Sequence, residues 1–291
     1  MAHIINTLAE VSDAYDTLFC DLWGCVHDGV HAFPDAVAAL QQFKAKGGTV
    51  LLLTNAPRPW AEVAQQLDRL NVPRMCWDVI ATSGDSARAA MFRGAVGRRV
   101  WHVGEPRDAP FFDPMALVYD DAVQIRRVDL DQADGIVCTG PFDPYADPSQ
   151  MRPQFMLAKA RGLKLLCANP DIVVDRGDRR EWCAGALAAL YTDMGGESLY
   201  FGKPHPPIYD LARGRLRQIN KPTENDRILV VGDGMRTDVL GGLGEGFDTL
   251  FVTGGLARAE THTQQQPDAD RLARLFTQEE LDPTYAIGML R

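Results

Sequence analysis

The chain has 291 residues, enough for one large domain or two modest ones. A hydrophobic share of 46% and a charged share of 24% are those of a soluble globular protein, and a formal net charge of −9 weighs against general affinity for nucleic acid or anionic membrane. No apolar run approaches the ~20 residues of a membrane span, and Met1-Ala2-His3-Ile4-Ile5-Asn6-Thr7 lacks the basic-then-apolar pattern of a secretory signal. The cysteines (Cys20, Cys25, Cys76, Cys138, Cys167, Cys183) form no Cys-x-x-Cys. Their apolar neighbourhoods predict reduced, buried thiols in a cytoplasmic protein, and no zinc site.

Residues 1–16 carry a weak amphipathic pattern (Ile4, Ile5, Leu8, Val11) that predicts a short leading helix. The run Leu18-Phe19-Cys20 then ends in Asp21 and breaks at Gly24. That reads as a buried parallel strand delivering a carboxylate to the sheet's C-terminal edge, where open α/β sheets bind ligands. A carboxylate there is costly unless a cation or donor meets it, although Asp-x-x-Gly alone describes a turn equally well. Pro34 starts a helix that stops at Lys46-Gly47-Gly48; Thr49 to Leu53 is a second apolar strand ending in Thr54-Asn55; Trp60 to Leu70 is helical. This alternation implies a right-handed parallel crossover.

Asp78 to Gly84 reads as a third strand with a helix through Met91, and Val100 to Val103 as another strand closed by Gly104. From Glu105 to about Asp134 prolines break the pattern, and acids cluster at Asp120-Asp121 and over Asp129 to Asp134. Strands follow at Gly135 to Cys138 and Leu163 to Cys167, helices at Met156 to Arg161 and Ala184 to Tyr191. Between them Asn169-Pro170-Asp171 makes a turn, and Val174 to Arg180 is rich in Arg and Asp. The opening pattern resumes with Leu199 to Pro204, a helix ending near Arg217, strands at Arg227 to Val231 and Thr249 to Val252, a helix over Asp270 to Phe276 and a last strand at Tyr285 to Ile287. The fold class expected is α/β: a Rossmann-like parallel-sheet core over 1–78 and 199–291, with an inserted α/β domain over 79–198.

Four strand ends carry polar residues: Asp21, Thr54-Asn55, Lys203, and Asp233-x-x-x-x-Asp238. In that order they resemble the four motifs of the haloacid dehalogenase superfamily, and the insertion between the second and third motifs resembles its C2-type cap. Asn169-Pro170-Asp171 is similar to the class IIA branch, which includes nitrophenyl-phosphate, nucleotide and sugar-phosphate phosphatases. The resemblance implies that Asp21 attacks phosphorus to give an aspartyl-phosphate, that Thr54 and Asn55 hold phosphate, and that Lys203 neutralises charge. It further implies that Asp21, Asp233 and the Trp23 backbone carbonyl bind Mg²⁺, with Asp238 orienting Lys203 or the metal's water. Such chemistry needs an in-line nucleophile and positive charge around the developing oxygens, and oxygen ligands suit a hard cation. A homodimer paired through the cap is expected from the resemblance alone.

One departure matters. In the phosphatase pattern the second residue after the nucleophile is an acid that protonates the leaving group; here it is Trp23, whose indole is no acid at neutral pH. The loss is ~10²–10⁴-fold for an unactivated ester. Three explanations stand: another donor (His27, Asp28 or His205), a leaving group that needs no proton (an activated P–O or a P–C bond), or a phosphometabolite-binding or regulatory protein with weak catalysis. Arg58, Arg176 and Arg179, with Arg180, are candidates for contacts to the substrate's anionic groups or hydroxyls, set against a reading of the cap arginines as a solvated charge run. Trp182 is either a stacking surface or cap core. The leading expectation is a Mg²⁺-dependent phosphatase of a small phosphorylated metabolite such as a sugar phosphate.

Overall fold

The computed structural model describes residues 2–115 and 122–291; Asp120-Asp121 lie outside the described residues. The chain opens with strand β1 (His3–Ile4) and two 3-10 turns, Leu8–Glu10 and Ser12–Ala14, in place of the expected leading helix. The Glu10 carboxylate accepts from the Asn6 and Thr7 N–H groups, which closes a single turn and ends it. Next come β2 (Thr17–Cys20), α1 (Pro34–Ala45), β3 (Thr49–Thr54), α2 (Trp60–Arg69), β4 (Val79–Thr82) and α3 (Ser83–Phe92). The middle of the chain holds β5 (Arg99–Val103), β6 (Arg126–Arg127), β7 (Gly135–Cys138), α4 (Arg152–Ala160), β8 (Lys164–Cys167), β9 (Val173–Arg176), β10 (Arg179–Trp182), α5 (Ala184–Asp193) and β11 (Glu197–Tyr200). The last part holds α6 (Pro206–Gln218), β12 (Ile228–Gly232), a π turn over Met235–Val239, α7 (Leu240–Gly244), β13 (Asp248–Val252), α8 (Ala269–Glu279) and β14 (Tyr285–Ile287).

One parallel sheet has the order β1-β14-β13-β12-β2-β3-β4 and a second, also parallel, β11-β8-β7-β5-β6. The continuous apolar runs are explained by burial on both faces. Leu18, Cys20, Val50, Leu52, Leu229 and Val231 join α1 and α2 side chains in one core, whereas Phe19, Leu51, Leu53, Ile228 and Val230 join Ile208, Ala212 and Leu216 of α6 in another. Successive residues of a strand therefore feed opposite cores. The smaller sheet repeats this: Ile136, Cys138, Leu165 and Cys167 pack on α4 and α5, and Val100, Val137 and Leu166 on Ala87 and Met91 of α3.

Sheet membership moves both junctions expected from sequence. Val79–Thr82, assigned by sequence to the insertion, pairs with β3 in the larger sheet, and Glu197–Tyr200 pairs with β8 in the smaller. The segment read as a charge run is an antiparallel hairpin, β9–β10, in which Arg180 bonds Asp175 at 2.7 Å. All six cysteines are free and buried. Among the described residues no helix is long and apolar enough to cross a membrane.

Candidate active site

In the larger sheet the chain runs outward through β3 and β4 on one side of β2 and through β13 and β14 on the other side of β12, with β1 from the start of the chain at that edge. The order reverses between β2 and β12, which is where open α/β sheets form a ligand crevice. Cys20 lies opposite Val231, so Asp21 and Asp233 emerge side by side, and the Asp21 N–H donates to the Val231 carbonyl at 2.8 Å. The loop after β2 passes close to Asp233 only because residue 24 is glycine: its φ is +72°, and a Cβ there would fall 2.1 Å from Asp233 Oδ2. Lys203, 1% exposed, reaches between two carboxylates, with Nζ 2.8 Å from Asp21 Oδ1 and 2.7 Å from Asp238 Oδ1. Asp238 is used on both oxygens, because its Oδ2 accepts from the Gly234 N–H at 3.2 Å and the Thr237 hydroxyl at 3.3 Å.

Two buried carboxylates thus share one ammonium, with a third, Asp233, close by and bonded to the Leu256 N–H at 2.9 Å. Burial raises the Asp21 carboxyl to about 7 against the pull of Lys203, and burial with the neighbouring charges of Asp21 and Asp238 pushes Asp233 well up. Lys203 is held well above its ordinary value because the fields of Asp21 and Asp238 outweigh its own burial. A net negative cluster without enough positive charge is a cation site in waiting. Ligand atoms of Asp21, Asp233 and Cys25 lie within 4.8 Å of one another, so the donor set fits a divalent ion. Of the three, the two carboxylates suit a hard cation; the Cys25 thiol is held protonated by burial and contributes no anionic ligand.

At the end of β3, Thr54 Oγ1 accepts from the Ala56 N–H at 3.2 Å, which leaves its hydroxyl proton to donate. Asn55 is buried and ties three segments together. Its Oδ1 accepts from the Lys203 N–H at 2.7 Å, and its Nδ2 donates to the Lys203 carbonyl at 3.2 Å and to Asp171 Oδ1 at 2.8 Å. The Asn169-Pro170-Asp171 turn is pinned in turn by Asn169 Oδ1, which accepts from the Asp171 N–H at 3.0 Å. Arg58 is set by Gly84, whose N–H bonds Ala56 and where a Cβ would meet the Arg58 backbone at 2.5 Å. The Arg58 guanidinium donates to Gln66 at 2.7 Å, and burial followed by the charge of Arg107 lowers its pKa.

A cavity of about 120 Å³ lies over Asp21, walled by the larger sheet's loops on one side and by residues 105–108, 139–144, 169–176 and 181–183 on the other. Asp21, Trp23, Thr54, Asn55, Arg58, Arg176 and Trp182 all line it. Trp182 belongs to this wall and is 37% exposed, so it is not cap core. Arg179 does not line it: its guanidinium lies 3.9 Å over the Tyr145 ring, outside the cavity wall. The expected proton donors are also elsewhere. His27 Nδ1 accepts from the Gly29 N–H at 3.0 Å, Asp28 Oδ1 caps a turn through Val30 and His31, and His205 stacks on Tyr200 at 4.9 Å. Arg107 lines the cavity and was missed because it stands in the proline-broken stretch that shows no periodicity.

The haloacid dehalogenase-like hydrolase model matches residues 18–115, and a second, HAD-hydrolase-like model matches residues 200–277. A crystal structure of a haloacid dehalogenase-like family hydrolase from Brucella suis 1330 is 37% identical, with a TM-score of 0.86 over 99% of this chain and 100% of its own. The ribonucleotide monophosphatase NagD of Escherichia coli (strain K12) is 27% identical over 82% of this chain and 88% of its own. A glycerol phosphate phosphatase from Mycobacterium tuberculosis, in complex with calcium, is 25% identical, with a TM-score of 0.63 over 88% of this chain and 71% of its own.

Proposed function

We propose, from the premise that the chain belongs to the haloacid dehalogenase-like hydrolases, that it is a Mg²⁺-dependent phosphatase of a small phosphorylated metabolite. The observation that carries the reading is Asp21 on the floor of the cavity, bonded to Lys203 and flanked by Asp233. The names of two relatives, a nucleotide and a glycerol phosphate phosphatase, support the substrate class. By the same reading, residues 83–200 form the cap over a core of the remaining chain.

Asp21 attacks phosphorus through a carboxylate oxygen, the ester P–O bond breaks, and the leaving oxygen takes a proton. Water then attacks phosphorus, the bond to Asp21 breaks, and inorganic phosphate leaves. Lys203 stays between Asp21 and Asp238 throughout, keeping the nucleophile anionic and opposing the charge on the phosphoryl group. The Thr54 hydroxyl donates to a phosphate oxygen. Asp21, Asp233 and the Trp23 carbonyl would hold Mg²⁺, whose charge balances theirs and the phosphoryl oxygens'; calcium in a relative supports a divalent ion.

Hydrolysis of p-nitrophenyl phosphate with Mg²⁺ and with EDTA, in the natural chain and in Asp21→Asn, tests this. Turnover that needs both Mg²⁺ and Asp21 is expected. Unchanged turnover in Asp21→Asn would sink the covalent route, and no turnover of any ester with Mg²⁺ would favour the binding protein that Trp23 suggests.

A further inference from the structure

Cleaving an alkyl phosphate ester expels an alkoxide, which needs a proton. Trp23 lines the cavity beside Asp21 and has none to give, and His27, Asp28 and His205 do not line it. Besides Asp21, the carboxyls that line it are Glu105, Asp108, Asp171 and Glu181. Three of these are held by side chains around them. Glu105 pairs with Arg107, Glu181 lies 3.5 Å from Arg176 and accepts the Tyr145 hydroxyl at 2.8 Å, and Asp108 accepts the Thr139 hydroxyl at 2.7 Å.

Asp171 is different. Its side chain accepts one amide hydrogen bond, from Asn55 to Oδ1, and among the described residues it forms no ion pair. The Lys203 ammonium nearby is already bonded to Asp21 and Asp238. Burial raises Asp171 above its ordinary value, more than Lys203 lowers it, which favours the protonated form. With Oδ1 occupied as an acceptor, Oδ2 is the oxygen left free to carry a proton on a residue of the cavity wall. Asn55 fixes Asp171 in the same frame as Lys203, since one side chain bonds both.

We propose that Asp171 is the general acid of this enzyme, giving its Oδ2 proton to the leaving oxygen as the P–O bond breaks and regaining one from the water that splits the aspartyl-phosphate. Resting on the phosphatase reading above, it moves the proton donor from the loop after β2 to the other wall of the cavity. The charged and titratable groups that face Asp171 are Asp21 and Asp238, which follow strands of the larger sheet, Lys203 after β11, and Cys167 and Cys183 from the smaller unit. The two thiols stay neutral, because burial raises both.

The test compares kcat/KM for p-nitrophenyl phosphate, whose leaving group needs no proton, with that for glycerol 3-phosphate. Asp171→Asn keeps the acceptor for Asn55 and removes the acid. It should lower kcat/KM for glycerol 3-phosphate by ~10²–10⁴-fold and leave that for p-nitrophenyl phosphate within about threefold. Equal loss on both substrates would mean that Asp171 only holds the fold, and no loss on either would mean that it does nothing; both overturn the proposal. Should the variant not fold, the natural chain decides. Its kcat/KM for glycerol 3-phosphate should fall as pH rises and Asp171 ionises, with no matching fall for p-nitrophenyl phosphate; superimposable profiles overturn the proposal. Absence of turnover on p-nitrophenyl phosphate in the natural chain would instead reject the phosphatase reading.

Discussion

Removing the charge of Asp21 should make the metal-free protein more stable, and by an amount that depends on pH. Asp21 is 7% exposed, and its carboxyl is raised from the usual 3.8 to about 7. Below about pH 4 it is protonated whether the chain is folded or not, and it costs nothing. As pH rises the unfolded chain releases this proton first, so the folded state loses ground until about pH 7. That interval of roughly three pH units corresponds to on the order of 4 kcal/mol, at about 1.4 kcal/mol per unit. Asparagine at this position has nearly the same shape and no proton to lose. Urea unfolding in EDTA should therefore give similar stabilities for Asp21→Asn and the natural chain at pH 4.5. A gap in the variant's favour should open by pH 8, read as a higher midpoint at unchanged slope. Titrating groups away from this cluster are common to both proteins and drop out of the difference. Added Mg²⁺ should close the gap by stabilising the natural chain. A gap that stays constant with pH, or a natural chain more stable than the variant at pH 8 in EDTA, would refute the account of the site as an uncompensated anionic cluster.

The buried His27 imidazole, pushed down to about 4 chiefly by burial, should show no titration between pH 5.5 and 8 in a proton-detected NMR series. Because the unfolded chain takes up that proton first as pH falls, His27 removes stability as pH drops from 6.5 to 4; a midpoint near 6.5 in the folded protein would contradict this. Asp85, 2% exposed, holds Arg88 and Arg215 at 3.1 Å each. Asp85→Ala should cost ~3–5 kcal/mol by stranding buried guanidinium groups, and a loss below about 1 kcal/mol in urea unfolding would show the network to be idle.

The floor of the candidate site was legible because a strand buried on both faces is written as an unbroken apolar run, and the polar residue that ends it stands out. Asp21, Thr54 and Asp233 are all of this kind, and all emerge at one sheet edge. Lys203 was legible by its order in the chain, not by a run, since it follows a strand of the other sheet. The walls were harder. Arg176 and Arg179 are Cα partners across the hairpin turn, yet one lines the cavity and the other covers Tyr145. Nothing in a run of Arg and Asp separates those fates before the hairpin is seated. The leading segment misled because Ile5 and Leu8 are buried by a two-residue edge strand and a single turn, which share a helix's spacing over so short a span. Asp171 sat in a turn that was noticed, but its bond to Asn55 is a contact 116 positions away.

The pairing of β2 with β12 has a consequence for how the molecule comes into being. At the foot of these two strands Arg227 clasps Asp16 at 2.7 Å, a partner 211 positions earlier in the chain. During synthesis β2 and β3 can pair early, and the whole smaller sheet is complete before β12 exists. Through all that time Asp21 has neither Asp233 nor Asp238 beside it. The late closure of so long a loop is a slow, entropically costly step, and it is the step that brings Asp233 and Asp238 to Asp21 and Lys203. Phosphatase activity would therefore appear only with the last strands, and its recovery during refolding would time the docking of β12 rather than the formation of either sheet alone.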